Sequence, residues 1–334
     1  MTIKDLAAQT GYSVGTVSRV LNNQPNVSPK AKEVILRAAA ESGFHLNTNA
    51  KQLKQQHGNC VLMVVKGTGN DLFSGIVESI QGRFSHLRYP LIVDYLDEDQ
   101  NEVARALQLC QEKKPLGIFF LGGNQRNFYT GFGRIDVPCV LVTNSAAELP
   151  FANLSSVCAD DQMAAAEAMD ALLALGHRQV AVIGGNYDDS DTSRLRLEGC
   201  TQSLKEHGIA FDWEQDYVSS RFSYRDGYDA MGRLLEKGKP VTAVFALADV
   251  IAIGAIRALR EKGLRVPEDV SVMGYDGLPL GDFLVPQLST VEQPVEQMAQ
   301  RGVDILLDCI EHGACARHEN VPYAIRLRES TREI

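Results

Sequence analysis

Several kinds of chemistry have no footing in this chain. No apolar run approaches the ~20 residues that span a bilayer, and the N-terminus has no apolar signal core. Membrane insertion and export are therefore not expected, and the protein reads as cytoplasmic. No G-x-x-x-x-G-K-[ST] occurs, and Gly67-Thr68-Gly69 is followed by Leu72 where a dinucleotide fingerprint needs its third glycine. The seven His show no H-E-x-x-H or other ligand spacing, so neither a metal nor a cofactor is expected. Seven cysteines (Cys60, Cys110, Cys139, Cys158, Cys200, Cys309, Cys315) stand singly in apolar segments, with no C-x-x-C. Most fit buried small hydrophobes of a reducing compartment. Asp160-Asp161 and Asp188-Asp189 have no base or metal partner and read as caps and solvated loops. Gly122-Gly123 and Gly184-Gly185 follow strands, where tight turns are expected. No catalytic set assembles.

What is present begins with composition. A chain of 334 residues exceeds one ordinary domain, and 45% hydrophobic with 22% charged residues suits a globular fold. Charge is uneven. Within residues 1–58, seven bases (Lys4, Arg19, Lys30, Lys32, Arg37, Lys51, Lys54) face three acids (Asp5, Glu33, Glu41), a balance of +4. The net −9 of the whole then leaves −13 for the remainder. A basic head on an acidic body suits nucleic-acid contact confined to the head.

That head starts with TIKDLAAQTGYSVGTVSRVLN, which reads as two short helices and a tight turn. Thr2 can cap the first helix, with Asp5 three residues on. Ile3, Leu6 and Ala7 share its inner face, and Thr10-Gly11-Tyr12 ends it. Ser13 caps the second helix, whose apolar face is Val17, Val20 and Leu21. Its other face carries Val14, Gly15, Thr16, Ser18, Arg19 and Asn22. Short polar side chains reach phosphates, and an arginine can fork onto a guanine edge, as a helix in a DNA major groove requires. Gly11-Tyr12-Ser13-Val14-Gly15 also fits G-x-S-x-G, but a nucleophile elbow needs a buried strand before the serine. Here the preceding residues form an amphipathic helix. A third helix opens at Ser28-Pro29, with Ala31, Val34, Ile35 and Ala38 as its inner stripe.

The register AxxxGYSxGTVSRVLNN, the opening VSPKAKE and the following GFHLNxxAKxL resemble the lactose-repressor (LacI/GalR) family. The resemblance extends over the whole chain through ALLALGHRQVAVIGG and VPEDVSVMGYD. It implies a bacterial transcription regulator with a helix-turn-helix head and a small-molecule-sensing core. The polar stretch HLNTNAKQLKQQHG would be the family's hinge helix, with Leu53 as a minor-groove wedge and Asn47, Ala50 and Lys51 beside it. Leu46 and Lys51 stand where the family usually has Pro and Arg. With Ser28 and Thr2, these complete the expected DNA-contacting set.

From Cys60 onward, apolar strands alternate with helices, which argues for parallel α/β sheets with ligands at the strands' carboxyl ends. Strands are expected at Val61–Val65, Leu91–Tyr95, Gly117–Leu121, Cys139–Val142, Val180–Ile183, Ala243–Ala246 and Val270–Met273. The resemblance implies two lobes like those of periplasmic sugar-binding proteins. The expected division is a head at 1–46, a hinge at 47–59 and a core at 60–334. Lobe 1 takes about 60–159 plus 291–318, and lobe 2 about 160–290 plus 319–334. In the cleft, Arg196 can donate several hydrogen bonds in one plane, and Asp276 can accept from neighbouring hydroxyls. By resemblance, Phe222 stacks over a ligand and Phe73 lines the cleft. Thr143 replaces an often acidic residue, and Ala248 replaces the Asn before Asp249, which reads as a helix cap. Both changes remove groups that grip sugar hydroxyls.

The expected protein is a dimeric DNA-binding regulator, a repressor recognising near-palindromic double-stranded DNA under control of a sugar or related metabolite. The end at Ile334 without a heptad tail points to dimers. A transporter's solute receptor would share the core but not the head; an α/β enzyme would need a catalytic constellation.

Overall fold

A computed structural model of the protein describes residues 3–21, 27–42 and 58–334. The chain divides into two compact units, residues 1–56 and 57–334.

The first unit contains α1 (Ile3–Thr10), α2 (Val14–Leu21) and α3 (Pro29–Glu41). Gly11 makes the turn after α1 with φ of 73°, a conformation that costs glycine little. Ser13 accepts the Thr16 amide at 3.1 Å and caps α2, while Ser28 accepts the Ala31 amide at 3.3 Å and caps α3 ahead of Pro29. A small core forms from Leu6, Ala7, Val17, Val20, Ala31, Ile35 and Ala39. Val34 is exposed, contrary to expectation. The inner face of α3 follows an i, i+4, i+8 row through Ala31, Ile35 and Ala39, and Val34 lies outside it.

The second unit holds two six-stranded sheets. Lobe 1 is built on β1 (Val61–Lys66), α4 (Asp71–Phe84), β2 (Leu91–Leu96), α5 (Glu102–Lys113), β3 (Gly117–Leu121), α6 (Gln125–Gly131), β4 (Cys139–Val142) and β5 (Leu154–Cys158). Lobe 2 follows with α7 (Asp161–Ala174), β6 (Val180–Gly184), α8 (Asp191–Glu206), α9 (Trp213–Asp216), β7 (Tyr217–Ser219), α10 (Tyr224–Glu236), β8 (Ala243–Ala246), α11 (Asp249–Glu261) and β9 (Ser271–Asp276). The tail then weaves across. Strand β10 (Ser289–Glu292) joins lobe 2, α12 (Val295–His312) packs on lobe 1, β11 (His318–Asn320) joins lobe 1, and β12 (Ala324–Arg326) returns to lobe 2. Residues 291–292 thus pair in lobe 2 and 319–320 in lobe 1, shifting both expected crossing points by about two residues.

The sheet orders are β11-β5-β4-β3-β1-β2 and β12-β10-β9-β8-β6-β7. Every pairing is parallel except β10 with β12. Helices cover both faces of such sheets, which is why VLMVV, GIFFL and AVFA are buried without alternation. Strands β5 and β7 were not expected; LSSVC is interrupted by two serines and YVS is three residues long. The order places the carboxyl ends of β1 to β5 opposite those of β6 to β9, with a cleft between them. Of the cysteines, Cys60, Cys139, Cys158 and Cys200 are buried, Cys110 and Cys309 partly so, and Cys315 is exposed; all are free thiols.

Candidate ligand cleft and nucleic-acid interface

In the head, the outward surface of α2 presents Ser13, Val14, Gly15 and Arg19 as exposed residues, with Thr16 and Ser18 half-buried. Val14 is 46% exposed. Ser13 is tied into the cap, with its Oγ 2.9 Å from Thr16 Oγ1, and helix α1 precedes it, so the elbow reading has no strand to stand on. Ser28 lies exposed at the start of α3. Thr2, Asn22, Asn47, Ala50, Lys51 and Leu53 lie outside the described residues.

In the core, the cleft encloses a cavity of about 200 Å³ whose wall includes Phe73, Thr143, Arg196, Phe222 and Asp276. All five expected cleft residues therefore meet, although they span two hundred positions of chain. Phe73 sits in the first turn of α4, and its ring packs where a Cβ on Gly122 would come within 3.0 Å. Gly122 has φ of 70° and leaves that space free. Phe222 lies against Gly185 in the same way, a Cβ there coming within 2.9 Å of the ring. Thr143 follows β4 with φ of 79°, and its hydroxyl donates to Asn144 Oδ1 at 3.2 Å.

Lobe 2 supplies a buried charge network. Arg196 is 3% exposed; its Nε donates to Asp161 Oδ1 at 2.8 Å and its Nη1 to the Leu247 carbonyl at 2.6 Å. Asp276 Oδ1 lies 3.6 Å from Nη1, and the guanidinium stacks 3.5 Å over the Tyr275 ring. Burial opposes the guanidinium charge, but Asp161, Tyr275 and Asp276 outweigh it and hold the group above its ordinary pKa. Asp276, at the end of β9 with φ of 121°, accepts from Gln293 Nε2 at 2.8 Å through Oδ1. Its Oδ2 is buried without a partner. Burial pushes its pKa up to about 7, against the pull of Arg196. Asp276 also borders a second cavity, beside the crossover at Glu292–Pro294.

Two expectations are corrected here. Asp160 does cap α7, accepting the Met163 amide at 3.0 Å, but Asp161 is 5% exposed and is the main ion partner of Arg196. Asp249 is not a cap either. Ala248 holds that position, and the fully buried Asp249 carboxylate accepts from Thr290 Oγ1 and the Leu278 amide, each at 2.7 Å. It braces β10 and the turn after β9. Burial, then the charge of Asp276, pushes its pKa up to about 8.

Lobe 1 contributes a different carboxylate. Glu102 is fully buried and takes Lys66 Nζ at 2.8 Å, the Asn124 amide at 2.7 Å and Asn127 Nδ2 at 2.9 Å. Bonds between the lobes bridge both rims. On one side Arg221 meets Asp97 at 2.6 Å and Glu98 at 2.5 Å, with Asp99 at 3.5 Å. On the other, the Gln125 amide donates to Asp191 Oδ2 at 2.6 Å and Asn124 Nδ2 to the Asp189 carbonyl at 2.9 Å. Asn144 Nδ2 donates across to Thr192 Oγ1 at 2.9 Å. Among the described residues no group of three or more His, Cys, Asp and Glu is arranged to hold a metal, and no helix is long and apolar enough to cross a membrane.

Residues 2–47 match the bacterial regulatory proteins of the lacI family, and residues 169–331 match the periplasmic binding protein-like domain. The HTH-type transcriptional regulator MalR of Clostridium butyricum is 33% identical over 313 residues, 93% of each chain. The chain belongs to the LacI family. Solved structures agree in fold across 99% of both chains: the transcriptional regulator CelR–cellobiose complex, with 28% identity and a TM-score of 0.71, and the lac repressor dimer bound to operator and the anti-inducer ONPF, with 26% identity and a TM-score of 0.75. As a LacI-family member the protein is a DNA-binding transcriptional regulator, with a helix-turn-helix head and a two-lobed sensing core.

Sequence reasoning missed Lys66, Glu98, Asn144, Asp161, Thr192 and Arg221. Lys66 ends β1, Glu98 follows β2, Asn144 follows β4 and Asp161 follows β5. The rule that ligands gather beyond the carboxyl ends of parallel strands, applied strand by strand, would have found these four.

Proposed function

We propose that this LacI-family regulator is a dimeric, cytoplasmic repressor rather than an enzyme. It binds near-palindromic double-stranded DNA through α2, and a sugar or related metabolite held between the core lobes sets its operator affinity. The observation that carries the reading is the meeting of Phe73, Thr143, Arg196, Phe222 and Asp276 around one cavity with a partnerless carboxylate oxygen. A solved relative holds cellobiose, and another is a dimer on its operator. In the head, Ser13, Thr16, Ser18 and Ser28 serve as phosphate contacts, and Arg19 reads a base edge. Val14 and Gly15 approach the groove closely. Thr2, Asn22 and the hinge group of Asn47, Ala50, Lys51 and Leu53 complete the contact, with Leu53 entering the minor groove. Phe283 and Val285, 82% and 89% exposed, offer apolar surface for a second copy to cover.

The effector acts through the difference in its affinity for two arrangements of the lobes, since a ligand with equal affinity for both shifts nothing. The test is selection of random DNA duplexes by the full chain. The expected product is a near-palindrome, because a two-fold protein presents two recognition helices. On that sequence Arg19→Ala loses about 1–3 kcal/mol of discrimination at one G·C position, measured with single-base variants. Enrichment of no sequence rejects the reading, and unchanged discrimination rejects the role of Arg19.

A further inference from the structure

The chemistry already satisfied in the cleft limits what can enter it. Three basic side chains line the cavity, and each is engaged by acids. Lys66 serves Glu102 at 2.8 Å, Arg196 serves Asp161 at 2.8 Å with Asp276 at 3.6 Å, and Arg221 serves Asp97, Glu98 and Asp99. Four acids share the wall with these three bases: Glu98, Asp99, Asp189 and Asp276.

Several backbone donors are occupied as well. Three helices begin at the cavity wall, and helix N-termini are the usual cradles for phosphate. Here each already gives one amide to its own cap: Asn70 accepts the Leu72 amide at 3.1 Å, Asn124 the Arg126 amide at 2.9 Å, and Ser190 the Ser193 amide at 3.2 Å. The Asn124 and Gln125 amides are already given to Glu102 and Asp191. The Gly185 amide is given to Ser193 Oγ at 2.8 Å.

Against this stands one open valence. Of the buried side-chain polar atoms without a partner among the described residues, Asp276 Oδ2 alone belongs to a residue of this wall. Ionised, as it is above about pH 7, it is an acceptor, and the missing partner is then a donor. The cavity of about 200 Å³, bridged at both rims, also falls below the roughly 300–1,000 Å³ typical of sites for drug-sized ligands.

We infer that the cleft selects a neutral, hydroxyl-rich ligand of about monosaccharide size and discriminates against phosphorylated and carboxylated sugars. The selectivity rests on the effector-cleft reading above. An entering phosphate meets no cation without an acid partner, finds part of each helix start already committed to its cap, and approaches four carboxylates against three bases. A hydroxyl of a neutral sugar completes Asp276, while Phe73 and Phe222 offer faces for its apolar C–H surface.

Titration calorimetry of the full chain tests this. The probes are the common neutral pentoses and hexoses, ribose 5-phosphate, glucose 6-phosphate, glucuronate and cellobiose. The expected result is binding of at least one neutral monosaccharide, with its phosphate or uronate at least ten-fold weaker. Asp276→Asn weakens the neutral ligand at least ten-fold while the circular dichroism of the fold is unchanged. Should that variant fail to fold, the wild-type ranking of neutral against charged probes decides alone. Tighter binding of a phosphate, a uronate or the disaccharide overturns the inference, and so does silence from every neutral monosaccharide. The same preparation is assayed on its selected DNA. Specific DNA binding with a charged ligand in the cleft leaves the regulator reading standing and removes this one. Neutral-sugar binding without DNA binding does the reverse.

Discussion

The two lobes each carry a buried carboxylate, one bonded to the wall residue Lys66 and one in the wall itself, and the two are treated in opposite ways. On lobe 1, Glu102 receives three donors, one of them the Lys66 ammonium, and both of its oxygens have a partner. On lobe 2, Asp276 receives one hydrogen bond and a 3.6 Å ion contact, and one of its oxygens is left without a partner. A buried polar atom without a partner costs free energy. The fold tolerates that cost where a ligand can remove it. In the proposed reading, the satisfied carboxylate is structural and the unsatisfied one meets the ligand.

The sharpest way to break this contrast is to remove a cation from each wall's network or its partner. Arg196→Ala leaves Asp161 and Asp276 buried beside no positive charge. Breaking a buried pair in this way costs about 3–5 kcal/mol, on the order of 10 °C in Tm for a unit this size. It also abolishes sugar binding. Glu102→Gln costs less, about 1.5–3 kcal/mol for a charged hydrogen-bond acceptor lost, and leaves sugar affinity within a few-fold. Thermal denaturation and calorimetry on both variants check the pair. Equal losses of sugar affinity would erase the distinction between the walls.

A smaller effect concerns pH. Asp249 and Asp276 both have folded-state pKa values raised, from the ordinary 3.8 to about 8 and about 7. From about pH 4 up to about pH 7 for Asp276 and about pH 8 for Asp249, the unfolded chain has released the proton and the folded chain holds it, so stability contributed by the neutral forms is lost as pH rises through those windows. Asp249→Asn removes one of the two groups and keeps an amide that can still accept. Its Tm therefore falls less steeply than wild type between pH 5 and pH 8. An identical slope in both proteins would show that Asp249 ionises without strain in the fold.

How much of this was legible in the sequence differs between the two units for a physical reason. The expected recognition face of α2 lies within one short stretch, so helical periodicity alone brought Ser13, Val14, Gly15, Thr16, Ser18 and Arg19 together. The α3 stripe was misphased at Val34 because i+3 and i+4 rows both satisfy an amphipathic pattern, and only packing against α1 and α2 chooses between them. In the cleft, Asp276 was readable from its place at the end of a strand, and Arg196, inside α8, from its residue type and the family resemblance. Asp161 and Asp249 were read as cap-type residues because an acid at a helix start looks the same whether it faces solvent or a guanidinium. The rim around Arg221 was out of reach, since its partners Asp97 and Glu98 lie more than 120 residues away in the chain and on the other lobe.

The central claim is that ligand in the cleft governs the head's grip on DNA, and the most direct measurement is operator affinity with and without ligand. Fluorescence anisotropy of the selected duplex would be titrated with wild type and Asp276→Asn, each in the presence and absence of the neutral monosaccharide found by calorimetry. The account predicts that the sugar changes wild-type operator Kd by roughly 5- to 150-fold, the usual range of allosteric coupling, and that the variant shows no change at the same sugar concentration. An operator Kd that stays constant while the cleft is demonstrably occupied would contradict it.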